Sequence, residues 1–169
     1  MTKTLAVLLI SLGSALFAHG QVSAVDEQKV DAFAHAIARA EGFGLRGAIP
    51  TRYHNPGDMK SRPGFTKLPG QKSIGKGGHI VFKNDAAGWA ALKDQIAKML
   101  DGRSRHFNPN MSIKQVAKHY AANWHPWVKI VTKELGVSPD TTLATYFKSE
   151  EIKPPVIVFA QTQIPDLNF

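Results

Sequence analysis

The sequence predicts a mainly α fold of the α+β type, with a small β hairpin or loop region after its first helix. Three observations carry this expectation. Four segments repeat apolar residues at the spacing of a buried helical face. Residues 45–78, with seven Gly and many basic side chains, interrupt that pattern after the first segment. The 169 residues suit one domain with a single core. Aromatic residues make up 9% of the chain, and with the recurrent apolar periodicity they exclude a disordered polymer.

Residues 1–24 read as an address. Lys3 gives a positive start, and Leu5–Phe17 form an apolar run of 13 residues. The small residues Ala18-His19-Gly20 and Val22-Ser23-Ala24 follow. This is the three-part pattern of a secretory signal peptide, with cleavage after either Gly20 or Ala24. The run is short of the roughly 20 residues of a membrane span. No later stretch is long enough to cross a bilayer, so no stable membrane insertion is expected after the leader is removed. The expected location is periplasmic or secreted.

Charge narrows the partners. Lys and Arg number 21 against 13 Asp and Glu, a net +8 with a pI near 9.8. Without Lys3 the mature chain keeps 20 basic residues and a net +7. An exported protein of this charge has anionic polymers, cell-wall glycans among them, as natural partners. Lys and Arg are dispersed and no nucleic-acid motif appears, so no nucleic-acid partner is expected. The absence of cysteine excludes disulfides, thiolate metal sites, a Cys nucleophile and a lipid-modified N-terminal Cys.

The domain proper spans 25–150. The first helix is expected over 26–41, with Val30, Phe33, Ala34, Ile37, Ala38 and Glu41 on one face. Asp26 or Ser23 caps its start, and Gly42 and Gly44 end it. Asn55-Pro56-Gly57-Asp58 has the type II turn preference, and Pro69-Gly70 suggests another turn. His79–Phe82 reads as a short strand. Asp85 is expected to cap a helix over 86–101 with Trp89, Leu92, Ile96 and Met99 inward, closed by Gly102. Ser112 and Gln115 form a capping box opening a helix over 112–122, with Ile113, Val116, Ala117 and Tyr120 inward. Pro126 lies in the first turn of the next helix, which Trp127, Ile130, Val131 and Leu135 line and Gly136 ends. Ser138-Pro139-Asp140 starts a last short helix reaching about Phe147. Residues 151–169 read as an extended tail.

Glu41 is the most informative residue. Eleven residues of helix bring it in line with Val30, on the apolar face. Burial and the negative end of the helix dipole both disfavour its charge and raise its pKa, as a general acid requires near neutral pH. The alternative is a Glu paired with Arg46 or Arg52 at the edge of the core.

The segments Ala36-Ile-Ala-Arg-Ala-Glu41-Gly-Phe43, Arg52-Tyr53-His54-Asn55-Pro56-Gly57, Phe82 to Leu92 with Gly88-Trp89, and Leu135-Gly136-Val137 together resemble lysozyme-like muramidases. The resemblance is to the goose-type lysozyme and lytic transglycosylase superfamily, its short phage and bacterial members in particular. It covers roughly residues 28–147. It implies a lysozyme-like helical fold with a small β hairpin. It also implies Glu41 as the catalytic acid, peptidoglycan glycan strands as the partner, and cleavage of the β-1,4 bond between N-acetylmuramic acid and N-acetylglucosamine. No cofactor is implied. A second carboxylate is not obligatory, because the substrate's own acetamido group can attack C1. The product is then either a 1,6-anhydro sugar or a hydrolysed one. A non-catalytic, basic wall-binding protein on the same scaffold is the alternative function.

The sequence departs from its relatives at one position that matters. Their turn is usually Asn-Pro-Gly-Asn, whereas here it ends in Asp58. Asp58 is a candidate second carboxylate or a turn residue that bonds the backbone. Asp85 reads as a helix cap. Tyr53, Asn55, Tyr120 and Trp124 are candidate substrate-binding residues, aromatic planes being suited to sugar faces. Tyr120 and Trp124 serve packing equally well. Trp127, at helical spacing with Ile130 and Val131, reads as core. His106, His119 and His125 lack metal-ligand spacing, so no metal site is expected. The Gly70–Gly78 loop containing Ser73 lacks the Gly-Lys-Ser/Thr ending of a phosphate loop and reads as a basic rim.

Overall fold

The computed structural model describes residues 24–148; the leader, its cleavage region and the 151–169 tail lie outside the described residues. Six helices and a two-stranded antiparallel sheet follow in chain order: α1 (Ala24–Ala40), α2 (Ile49–Arg52), β1 (Gln71–Ile74), β2 (Ile80–Phe82), α3 (Asp85–Leu100), α4 (Ile113–Tyr120), α5 (Trp124–Leu135) and α6 (Leu143–Lys148). The expected mainly α architecture with a hairpin after the first helix is the observed one.

α1 is the central element because it is apolar over most of its circumference. Phe33, Ala34, Ala36, Ile37 and Ala38 are all buried, and they pack against both α5 and α3. Leu92, Ile96 and Met99 of α3, Ile113 and Val116 of α4, Trp127 and Val131 of α5 and Leu143 of α6 complete one contiguous core. Lys29 donates to the carbonyl of Phe147 at 3.4 Å, tying the start of α1 to the end of α6.

Several boundaries differ from expectation. α1 begins at Ala24, so Asp26 lies within the helix rather than before it. The cap of α3 is Asn84, whose side chain accepts from the Ala87 amide at 3.0 Å; Asp85 is the first helical residue. Asn84 has the extended backbone that aims a side chain at the third amide of the helix. Trp124 is the first residue of α5, which places Pro126 in its first turn as expected. The Ser138-Pro139-Asp140 signal makes a turn, and Thr142 caps α6 by accepting from the Thr145 amide at 3.1 Å. The Ser112–Gln115 capping box is present in both directions.

β1 replaces part of the expected basic loop. Its last three residues are exposed, so it shows no alternation of buried and exposed side chains. Backbone pairing to β2 forms it instead, with a bulge between Gln71 and Ser73. The Pro69-Gly70 turn closes through Gln71 N–H to Leu68 O at 3.0 Å. The hairpin packs beside the 53–60 segment: Phe82 N–H reaches Tyr53 O, Ile80 N–H reaches Met59 O, and Lys60 bridges His79. Gly88 lets this segment meet α3. A Cβ there would lie 1.9 Å from the carbonyl oxygen of His54.

Candidate functional site

The end of α1 delivers Glu41. Glu41 N–H still bonds Ile37 O at 2.9 Å, Gly42 N–H bonds Arg39 O and Phe43 N–H bonds Ala38 O. This is a Schellman closure, with Glu41 as the capping residue and Gly42 in the left-handed conformation at φ 78. Glu41 therefore sits at the last point where the chain still follows the helix. The predicted position on the inner face holds.

Its partner is neither Arg46 nor Arg52. Trp127 of α5 donates its indole Nε1–H to Glu41 Oε1 at 2.8 Å. Burial pushes the Glu41 pKa up from 4.5 to about 7; the indole hydrogen bond opposes this, Asp58 adds to it, and Lys60 opposes it. Trp127 is a core residue, as expected, and 2% exposed. Its hydrogen bond gives it a second role that helical spacing did not indicate. An indole N–H only donates. It thus favours Oε1 as the acceptor and Oε2 as the oxygen that carries the proton.

The turn 55–58 lies next to this acid. It closes through Asp58 N–H to Asn55 O at 3.0 Å. Its geometry is not type II: the positive φ falls on Asp58, at 46°, and not on Gly57. Gly57 is needed for space, since a Cβ would meet Leu92 Cδ1 at 2.9 Å and the Tyr120 hydroxyl at 3.1 Å. Tyr120 donates its hydroxyl to Gly57 O at 3.0 Å, and its ring packs on Trp127 at 5.3 Å between centroids. Glu41, Trp127, Tyr120 and the turn are thus connected by contacts. Burial, then the carboxyls of Glu41 and Asp58, push the Tyr120 phenol upward, so it remains a neutral donor.

Asp58 is half-buried and accepts from His79 Nδ1 at 2.7 Å. Burial raises its pKa, against the charge and hydrogen bond of His79 and the charge of Lys60. His79, read from sequence only as the start of a strand, is thus a site residue. The short apolar run His79–Phe82 announced its strand but not its partner 21 residues away.

The substrate-binding expectation for Asn55 is corrected. Asn55 is fully buried, and its amide is used up within the fold. Nδ2 donates to Met59 O and Ile80 O, and Oδ1 accepts from Met59 N, each at 2.9 Å. It pins the turn to β2. Tyr53 is half-buried; its hydroxyl accepts from Lys76 N–H at 3.3 Å, and its ring lies where a Cβ on Gly75 would be. It braces the hairpin. Trp124 stands at the start of α5, half-buried, stacked on His125 at 3.7 Å with the Lys118 ammonium 5.2 Å from its ring. No hydrogen bond joins it to Glu41 or Asp58 among the described residues. Asp85, no cap, accepts from His54 Nδ1 at 2.6 Å.

Among the described residues, no group of three or more His, Asp or Glu side chains is placed to hold a metal ion, and no helix is long and apolar enough to cross a membrane. Comparison of the chain with protein-family models, with curated proteins and with solved structures finds no match.

Proposed function

We infer that the chain is an exported muramidase that cleaves the β-1,4 bond between N-acetylmuramic acid and N-acetylglucosamine in peptidoglycan, with Glu41 as the general acid. The observation that carries this reading is a half-buried carboxyl with a pKa of about 7, fixed by the Trp127 indole through one oxygen. Such a group still holds its proton near neutral pH and can give it to a leaving oxygen. The resemblance of the flanking segments to lysozyme-like muramidases supplies the substrate class. Charge supports it: residues 42–83 carry eight Lys and Arg and a single acid, Asp58, a net +7 against +8 for the whole chain, so the net positive charge is concentrated in the segment beside the site. A wall rich in carboxylates is attracted to that lobe.

The test is Glu41→Gln. The amide keeps the acceptor that Trp127 needs and removes the proton donor. Release of soluble muropeptides from purified peptidoglycan should fall at least about 100-fold, with wall binding retained. The basic lobe also favours a second reading, wall binding without cleavage. That reading prevails if the wild-type protein binds wall and releases nothing.

A further inference from the structure

Beside the acid stands a carboxyl whose presence the fold does not explain. Asp58 adopts φ 46, a left-handed conformation that glycine reaches without strain and that few side chains other than Asn and Asp tolerate. Three other devices already hold its turn: the Asp58 N–H to Asn55 O bond, the Tyr120 hydroxyl on Gly57 O, and the three hydrogen bonds of Asn55.

The partner of Asp58 is built into the sheet. His79 is 8% exposed, its carbonyl accepts from Gly75 N–H at 2.8 Å, and its backbone bridges Lys60. The imidazole is therefore fixed, and its Nδ1–H takes Asp58 Oδ1. Oδ2 is left for another partner. Burial is the largest influence at both carboxyls and raises both; the charge and hydrogen bond of His79 and the charge of Lys60 oppose it at Asp58, and the Trp127 indole and Lys60 oppose it at Glu41. The two carboxyls are each held through one oxygen by a different donor, the Trp127 indole at Glu41 and the His79 imidazole at Asp58.

Resting on the glycan-cleaving reading above, we propose that Asp58 and His79 are the water-activating half of the site, so that the cut is a hydrolysis. His79 holds Asp58 by one oxygen, and the other oxygen removes a proton from a water. The water oxygen bonds to C1 of the muramic residue as the C1–O bond to the leaving sugar breaks. The leaving oxygen takes the Glu41 proton. Glu41 ends ionised and Asp58 protonated, and exchange with solvent restores both. Asp58 is a catalytic residue in this scheme and His79 a positioning residue.

Mass spectrometry of muropeptides released by the mature protein tests the scheme. The wild type should give fragments ending in a reducing muramic acid, heavier by one water than the 1,6-anhydro form. Asp58→Asn tolerates the same backbone and keeps the oxygen that His79 bonds, so it should fold; its hydrolysis should fall at least about 100-fold. Anhydro products alone from the wild type would overturn the proposal and leave Glu41 cleavage standing. Full hydrolysis by Asp58→Asn would do the same. No fragments from the wild type would overturn the reading on which the proposal rests. His79→Phe removes a donor that lowers the Asp58 pKa, so the acid limb of the kcat–pH profile should move to higher pH. His79→Asn places an amide N–H near the former Nδ1 and should move it back. If His79→Phe lowers the melting temperature without moving that limb, His79 is structural only.

Discussion

Replacing Glu41 with Gln should make the protein's stability less dependent on pH. The carboxyl has a pKa of about 7 in the folded protein against 4.5 in its ordinary state, with burial as the main cause. The folded state therefore binds the Glu41 proton more tightly than the unfolded state does. Below about pH 4.5 both states are protonated and the group adds no penalty. As pH rises toward about 7 the unfolded chain ionises first, and stability falls with each step. Above about 7 the penalty is complete. At full value the difference corresponds to about 3 kcal/mol. Glu41 is half-buried rather than sealed, and screening by solvent brings the expectation to about 1–2 kcal/mol.

Gln is neutral throughout, has nearly the same shape, and presents Oε1 to the same indole. Urea denaturation of both proteins between about pH 4 and pH 8 reads the effect. The variant should match the wild type at the acid end and exceed it by about 1–2 kcal/mol at the neutral end. The slope that Asp58 contributes through its own raised pKa is common to both proteins, so the difference isolates Glu41. Parallel curves across the range would show that Glu41 ionises normally, and the assignment of a neutral acid would fall.

Three further outcomes follow from particular contacts. Trp127→Phe keeps the buried ring but removes the donor to Glu41; the Glu41 pKa should rise above its wild-type value, read by carboxyl-carbon NMR titration, with a loss of about 1 kcal/mol in stability. Asn55→Ala leaves the Met59 amide without its acceptor and takes one donor each from the Ile80 carbonyl and from the Met59 carbonyl, which keeps the Ile80 amide, and should cost roughly 2 kcal/mol by chemical denaturation. Gly88→Ala sets a methyl 1.9 Å from His54 O, which is backbone and can move only with the 53–60 segment; a loss of about 3 kcal/mol and a displaced turn are expected from denaturation and from amide NMR shifts near Asp58.

The helices were legible because their causes are local. Phe33, Ala34, Ile37 and Ala38 announce the buried face of α1 within a single window, and Ser112 and Gln115 announce the start of α4 from four residues. Glu41 was legible for the same reason: helical periodicity places it on the inner face, and Gly42 marks where the helix must end. Local signals failed where two chemically similar neighbours competed. Asn84 and Asp85 both suit a cap, and only the backbone path decided that Asn84 takes it while Asp85 meets His54. β1 was not legible, because its last three side chains face solvent and its pairing with β2 is a property of backbone contact.

The sequence by itself thus determined the helical framework, the place of the acid and the basic character of the lobe beside it. Tertiary structure alone decided what surrounds that acid. The bond from Trp127 to Glu41 spans 86 residues, that from Tyr120 to Gly57 spans 63, and that from His79 to Asp58 spans 21. No periodicity or turn rule acts over such separations. Trp127 has the spacing of a core residue whether or not its N–H finds a carboxylate. Asn55 has the composition of a turn residue whether its amide faces a sugar or is spent on Met59 and Ile80. Packing α1 against α5 and the hairpin against the 53–60 segment sets the distances, and with them the burial that raises the Glu41 pKa.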